Sequence, residues 1–126
     1  MFPCPCCGYE IFRDPLGSYE VCPICFWEDD LVQLAFPDMK GGANKCSLLE
    51  AQGNFISLGA CEKHLKRHVR APRESELRNP QWRPLDGASD YYLKWDSPAD
   101  REYWQTVKDA IPCLYYWLPE YHLPVR

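Results

Sequence analysis

CPCCGYEIFRDPLGSYEVCPIC, residues 4–25, carries the strongest structural signal in this chain. It contains two Cys-x2-Cys pairs separated by fourteen residues. Two residues between paired cysteines allow a tight turn to direct both sulfurs to one point. This doubled spacing is typical of a closed four-sulfur zinc site. We therefore predict one structural Zn²⁺ ion held by Cys4, Cys7, Cys22 and Cys25.

The residues around the cysteines favour a zinc ribbon. A proline follows the first cysteine of each pair and presets a turn, and Gly8 can take the positive φ that often follows the second ligand. Residues 9–13 and 19–21 alternate in polarity, with turn-forming residues between them. The pattern predicts a β-hairpin between the two cysteine pairs, within a zinc-ribbon module over residues 1–36.

Eight cysteines in 126 residues would also suffice for four disulfides or a redox centre. No apolar N-terminal run indicates secretion, so we expect a cytoplasmic protein whose thiols stay reduced. The remaining cysteines have no regular spacing and no assigned role; they are Cys6, Cys46, Cys61 and Cys113. Cys6 lies between two ligands and could substitute for a neighbour.

Charge is distributed unevenly along the chain. The formal net charge is −4, and four thiolates around a divalent ion would add about −2. Residues 63–83 carry seven basic and two acidic side chains, between acidic flanks. This basic band predicts either a solvated face or a partner for the acidic segments. It also leaves open an alternative function, a zinc-ribbon regulator that binds nucleic acid.

Further motifs follow the ribbon in a recognisable order. Phe26-Trp27-Glu28-Asp29-Asp30 precedes Pro37-Asp38, Gly41-Gly42-Ala43-Asn44 and Ser47-Leu48-Leu49-Glu50-Ala51. With the opening Cys-Pro-Cys-Cys-Gly-Tyr, this order resembles the bacterial cysteine-rich CPCC family over about residues 3–60. The resemblance implies metal binding by the four paired cysteines and identifies no catalytic residue. It also implies a link to toxins, because similar small proteins are encoded near bacterial toxin systems.

Two capped helices are predicted in the rest of the chain, an aromatic-rich body over residues 37–126, and residues 61–68 are expected to form a basic amphipathic helix. Ser47 and Glu50 form a capping box, and Gly59 is a C-terminal stop. Ser97-Pro98 starts a second helix, which Pro112 kinks or stops. The following residues are expected to face the core: Leu48, Leu49, Phe55 and Ile56 in the first helix, and Trp104, Val107, Ile111 and Leu114 in the second.

Partner contacts are predicted at two places. We expect Glu28, Asp29 and Asp30 to form an exposed acidic rim, with the neighbouring Trp27 in the core. The second half holds four tryptophans and six tyrosines between Trp82 and Tyr121, a chemistry enriched at interfaces. Two adjacent pairs cannot all point inward and supply further candidates: Tyr91, Tyr92, Tyr115 and Tyr116.

No catalytic constellation can be assembled from the sequence. Cys61, His64 and His68 would share one face of a helix, but neighbouring cations oppose a second metal there. We therefore expect an α+β protein in which a small zinc-ribbon hairpin packs on a mainly helical body. We also expect that the protein is not an enzyme. Its predicted partner is another protein. The toxin link favours a basic toxin domain, which the chain would neutralise as an immunity protein, and no membrane partner is expected.

Overall fold

The computed structural model describes residues 1–110 and 114–121. Within them the chain is α+β, as predicted, with the cysteines clustered beside a small N-terminal hairpin. The strands are β1 (Phe2–Pro3) and β2 (Glu10–Phe12); the helices are α1 (Leu31–Ala35), α2 (Leu48–Leu58), a 3-10 helix (Lys63–His68) and α3 (Pro98–Val107). None of the helices in the described ranges has the length and apolar character needed to cross a bilayer.

The strand pairing differs from the predicted hairpin. β1 pairs antiparallel with β2, so this hairpin encloses the first cysteine pair and does not join the two pairs. The segment around residue 20 instead bonds forward, around the second pair: Tyr19 N donates to Asp29 O at 3.1 Å, and Asp29 N donates to Glu20 O at 2.9 Å. The predicted pairing is wrong because alternation in polarity identifies an extended segment and does not identify its partner.

α1 was not predicted, and its cap explains a buried acidic residue. The Asp30 carboxylate accepts from Val32 N at 2.9 Å and Gln33 N at 3.2 Å, which satisfies the free amides of the first turn. Its other oxygen accepts from Ala43 N at 2.9 Å. One carboxylate therefore starts α1 and also holds the loop that contains Gly42.

α2 begins and ends as its sequence predicts. The Ser47 and Glu50 side chains bond reciprocally to each other's backbone amides at 3.1 Å, and Gly59 ends the helix with φ +82°. Leu48 is fully buried, but Ile56 is 67% exposed. The prediction that Ile56 faces the core is wrong, because the helix is covered along one face only.

The main core joins the cysteine turns to later parts of the chain. Trp27 is fully buried there, as predicted, together with Leu48. Gln52 of α2 donates to Pro5 O at 3.0 Å, and Tyr115 donates its hydroxyl to Pro3 O at 2.8 Å. The N-terminal turns are therefore packed against residues up to 112 positions away.

A second apolar cluster surrounds Phe36. Its ring meets Trp95 and Trp104 edge to face, at centroid distances of 5.1 and 6.1 Å. Trp104 is buried, and α3 starts at a Ser97 side chain that accepts from Asp100 N at 3.1 Å. Of the other predicted packing residues, Val107 and Leu114 are half-buried, whereas Ile111 lies outside the described residues, as do Pro112 and Cys113.

Candidate metal centre

Four cysteine sulfurs converge in the main core. Cys4, Cys7, Cys22 and Cys25 are fully buried, and their sulfurs all lie within 4.8 Å of one another. The Sγ separations are 3.6 Å for Cys4 and Cys25 and 3.7 Å for Cys7 and Cys22. A tetrahedral zinc with bonds of about 2.3 Å requires sulfurs about 3.8 Å apart, whereas a disulfide requires about 2.05 Å. The group fits a metal ion and contains no disulfide.

Two turns of the same construction present the four sulfurs. In the first, Cys4 N donates to Tyr9 O at 2.9 Å and Gly8 N donates to Cys4 O at 2.7 Å. The second repeats these bonds at the same lengths, from Cys22 N to Trp27 O and from Phe26 N to Cys22 O. The residue after each second cysteine is left-handed, with φ +83° at Gly8 and +70° at Phe26.

The first of these left-handed residues was predicted, but the second was not, because phenylalanine rarely adopts a positive φ. The Phe26 ring stacks on His68 with centroids 5.2 Å apart. The sequence contains no local signal for this contact, since the two residues are far apart along the chain.

The surroundings change the pKa of three of the four thiols. Burial raises the pKa of Cys4 and Cys25, whereas hydrogen bonds from Cys25, Cys4 and Cys7 lower the pKa of Cys22. Burial of four uncompensated thiolates would be strongly unfavourable. The cluster is therefore stable either when it retains protons or when a cation replaces them.

Later residues cover the first turn. Arg78 donates its Nε–H to Cys7 O at 2.9 Å, and its guanidinium lies over the Tyr9 and Trp82 rings at 4.7 and 4.9 Å. Trp82 donates its indole N–H to Pro5 O at 3.0 Å. Sequence reasoning placed Arg78 in the basic band and missed this contact. The hydrogen bond to the Cys7 carbonyl holds the backbone of the first turn from outside the four-sulfur group.

The other described cysteines lie close by without joining the four-sulfur group. Cys6, Cys46 and Cys61 are all buried and free. Burial raises the pKa of Cys6, and the Cys46 thiol lies 3.4 Å from the Cys61 carbonyl oxygen, to which it donates. These contacts pack the thiols beside the ligand cluster.

The histidines considered for a second metal make other contacts. His64 Nδ1 lies 3.3 Å from a Glu62 carboxylate oxygen, and His68 stacks on Phe26. In the described ranges, the four paired cysteines are the one group of three or more ligand-type residues close enough to share an ion.

The predicted acidic rim is wrong for two of its three members. Asp29 is 1% exposed and Asp30 is 7% exposed, and only Glu28 is half-buried. Asp29 accepts from the backbone amide and hydroxyl of Ser18 at 3.0 and 2.8 Å, and burial raises its pKa. These carboxylates satisfy backbone and side-chain donors, so they are not available as a contact surface.

The four candidate tyrosines divide between surface and core. Tyr91 is 64% exposed, and Tyr92 is half-buried with the Lys94 ammonium 3.2 Å from its ring centroid. Tyr115 is buried, so its assignment to an exposed contact surface is wrong. Tyr116 is half-buried and bonds to Gln52 at 2.8 Å and to Arg83 O.

Comparison with known proteins agrees with this site. A family model described as "Cysteine-rich CPCC" matches residues 2–76, which include all four cysteines and extend beyond the predicted limit near residue 60. No curated protein matches the chain.

Proposed function

Because the chain belongs to the cysteine-rich CPCC family, we propose that it is a protein-interaction module built around one structural zinc ion. The convergence of four buried cysteine sulfurs carries this proposal. Four thiolates complete the tetrahedral coordination of zinc and leave no open position for a water or substrate. The ion therefore supplies cohesion, and the protein acts by binding and not by catalysis.

Within this role, the proposed partner is a toxin that the protein neutralises as an immunity protein in the cytoplasm. The proposal is supported by the association of similar proteins with toxin systems and by the net charge of −4. An anionic protein associates faster with a toxin that has a basic, phosphate-binding groove.

Co-expression tests this proposal. We expect cells that carry a toxin domain encoded beside this chain to survive when the chain is supplied. The purified pair should elute as a complex whose formation requires zinc. A Cys22→Ser variant should fail to protect, because the centre loses one of its four ligands. The immunity role would be contradicted if the chain gave no protection and formed no complex with the neighbouring toxin.

The second candidate function is nucleic-acid binding by the basic band. Three of the seven cations in the band make internal contacts: Arg70 pairs with Glu76 at 2.6 Å, Arg83 pairs with Asp90 at 2.7 Å, and Arg78 donates to Cys7 O. Lys63, Lys66 and Arg67 form no ion pair within residues 1–110 and 114–121. These three cations are therefore available to bind phosphate groups of a nucleic acid. This function predicts oligonucleotide binding that weakens steeply with salt, and filter binding at two ionic strengths tests it.

A further inference from the structure

An apolar groove lies beside the second cysteine turn. It runs between the C-terminal end of α2 and the segment after the 3-10 helix, and it encloses about 320 Å³. Its apolar lining consists of Ile24, Phe55, Leu58, Val69, Ala71 and Pro72. Phe55, Leu58 and Val69 are half-buried, so their side chains are partly covered and partly open to a ligand.

One border of the groove is positively charged. Lys66 lines the groove and also an adjoining open concavity with Lys63, His64 and Arg67. The two lysines and Arg67 have no carboxylate partner among the described residues, whereas the groove's other cation, Arg70, makes a bidentate pair with Glu76. A cluster of unpaired cations is unusual on a molecule with a net charge of −4, and it favours an anionic ligand locally.

The metal turn positions the groove. Ile24 lies between the ligands Cys22 and Cys25 and is 1% exposed. Arg70 N donates to Pro23 O at 3.2 Å, and Cys61 N donates to Cys25 O at 2.7 Å. One wall and the segment that follows the other wall are therefore bonded to the second turn, so loss of the metal should also disrupt the groove.

We propose that this groove binds an acidic, apolar peptide segment of a partner protein. The apolar floor would bury one or two side chains, and Lys63, Lys66 and Arg67 would pair with neighbouring carboxylates. A nucleic-acid backbone would satisfy the cations but would gain nothing from the apolar floor. The inference rests on the proposed protein-binding function and assigns it a surface; the acidic segment is a different part of the partner from the basic groove on which the charge argument for a toxin depends.

Selection from a random peptide library tests the groove without knowledge of the partner. Zinc-loaded protein is immobilised and panned with displayed peptides of about twelve residues, a length that can span such a groove. We expect enriched peptides to combine large apolar residues with Asp or Glu. Binding of the enriched peptides, measured by fluorescence anisotropy, should weaken at least about fivefold in Lys66→Glu and in Val69→Ser.

Lys108→Glu is the matched control, because Lys108 is an exposed lysine at the end of α3, outside the groove lining. It should bind the peptides as the wild type does. Zinc content and thermal unfolding of each variant establish that the fold is retained. Enrichment of basic peptides, an absence of enrichment, or equal affinity of folded Lys66→Glu would overturn the proposal. The proposal would also be overturned if single-stranded DNA displaced the bound peptides and an acidic apolar peptide did not. The cations would then be a phosphate-binding site.

The groove and the toxin role can fail separately. If Lys66→Glu and Val69→Ser bind the toxin and protect cells as well as the wild type, the partner uses another surface and the groove proposal is wrong. If the wild type does not protect but the peptide measurements give the expected losses, the groove proposal stands and the immunity role fails.

Discussion

Gly8 shows how a single residue determines the geometry of the first metal turn. Its φ of +83° is accessible to glycine at no steric cost, and a Cβ built there would lie 2.5 Å from Trp82 Cδ2. The position therefore excludes side chains for two independent reasons. The sequence indicates the first through its Cys-x2-Cys-Gly pattern, whereas the second depends on a residue 74 positions further along.

We predict that Gly8→Ala lowers the free energy of unfolding by at least about 2 kcal/mol, because backbone strain adds to the clash with Trp82. Chemical denaturation of the zinc-loaded protein measures the loss. Gly53→Ala is the matched control: Gly53 lies inside α2 with no atom within 4 Å of a built Cβ. It should raise stability by about 0.5–1 kcal/mol. Equal stability of the two variants would contradict this account of the turn.

Arg78 contacts the same turn through a hydrogen bond and two aromatic rings. We predict that Arg78→Ala releases zinc to a chelator several-fold faster than the wild type, because it removes both the bond to the Cys7 carbonyl and the stacking on Tyr9 and Trp82. Absorbance of a chromogenic chelator follows the release. Arg13→Ala, a change of another exposed arginine, serves as the control. Equal release rates for the two variants would show that Arg78 does not support the metal centre.

At the scale of elements, α2 shows which features of a helix depend on neighbouring residues and which depend on tertiary packing. Its first and last residues were predicted from Ser47, Glu50 and Gly59, which act on backbone within four residues of themselves. Its orientation was predicted only in part, since Leu48 is buried and Ile56 is exposed. The apolar pattern allows more residues to face inward than the core can cover.

Substitutions in α2 should reproduce this difference. We predict that Leu48→Ala lowers the free energy of unfolding by about 2–5 kcal/mol, because it leaves a cavity in the main core. Ile56→Ala should change it by less than about 0.5 kcal/mol, since the side chain is mostly in solvent and alanine favours helix. Denaturant unfolding compares the two. A large loss in Ile56→Ala would contradict the observed orientation.

We expect the whole molecule to depend on a bound metal, because the four paired cysteines are part of the main core. They belong to one cluster with Trp27, Leu48, Tyr115 and Trp117, so that cluster joins residues from both halves of the chain. The second cluster, around Phe36 and Trp104, contains no ligand cysteine. Loss of the ion should therefore affect the N-terminal turns first.

Removal of zinc at neutral pH should abolish the near-ultraviolet circular dichroism of the buried aromatic residues, because the centre supplies folding free energy. Chelation followed by circular dichroism measures this, and zinc in reducing buffer should restore the signal. An unchanged spectrum after complete metal removal would show that the fold does not depend on the ion.

Acidification should have the same effect as chelation. Burial raises the pKa of Cys4 and Cys25, so protons compete strongly with the metal for these sulfurs. Zinc affinity should therefore fall as the pH falls, and it should recover as the pH rises. Metal release and loss of the aromatic signal should occur together in a pH titration. Release of zinc without any structural change would contradict this coupling.

The sequence alone determined the features that depend on near neighbours. The ligand spacing, the turn at Gly8, the capping box at Ser47 and the start of α3 each involve contacts within a few residues, so the local pattern contains the necessary information. The strand pairing, the burial of Asp29 and Tyr115, and the position of Arg78 over the first turn became evident from the three-dimensional structure alone. Each of these is set by contacts between segments that are distant along the chain, and residue types in a local pattern do not specify such contacts.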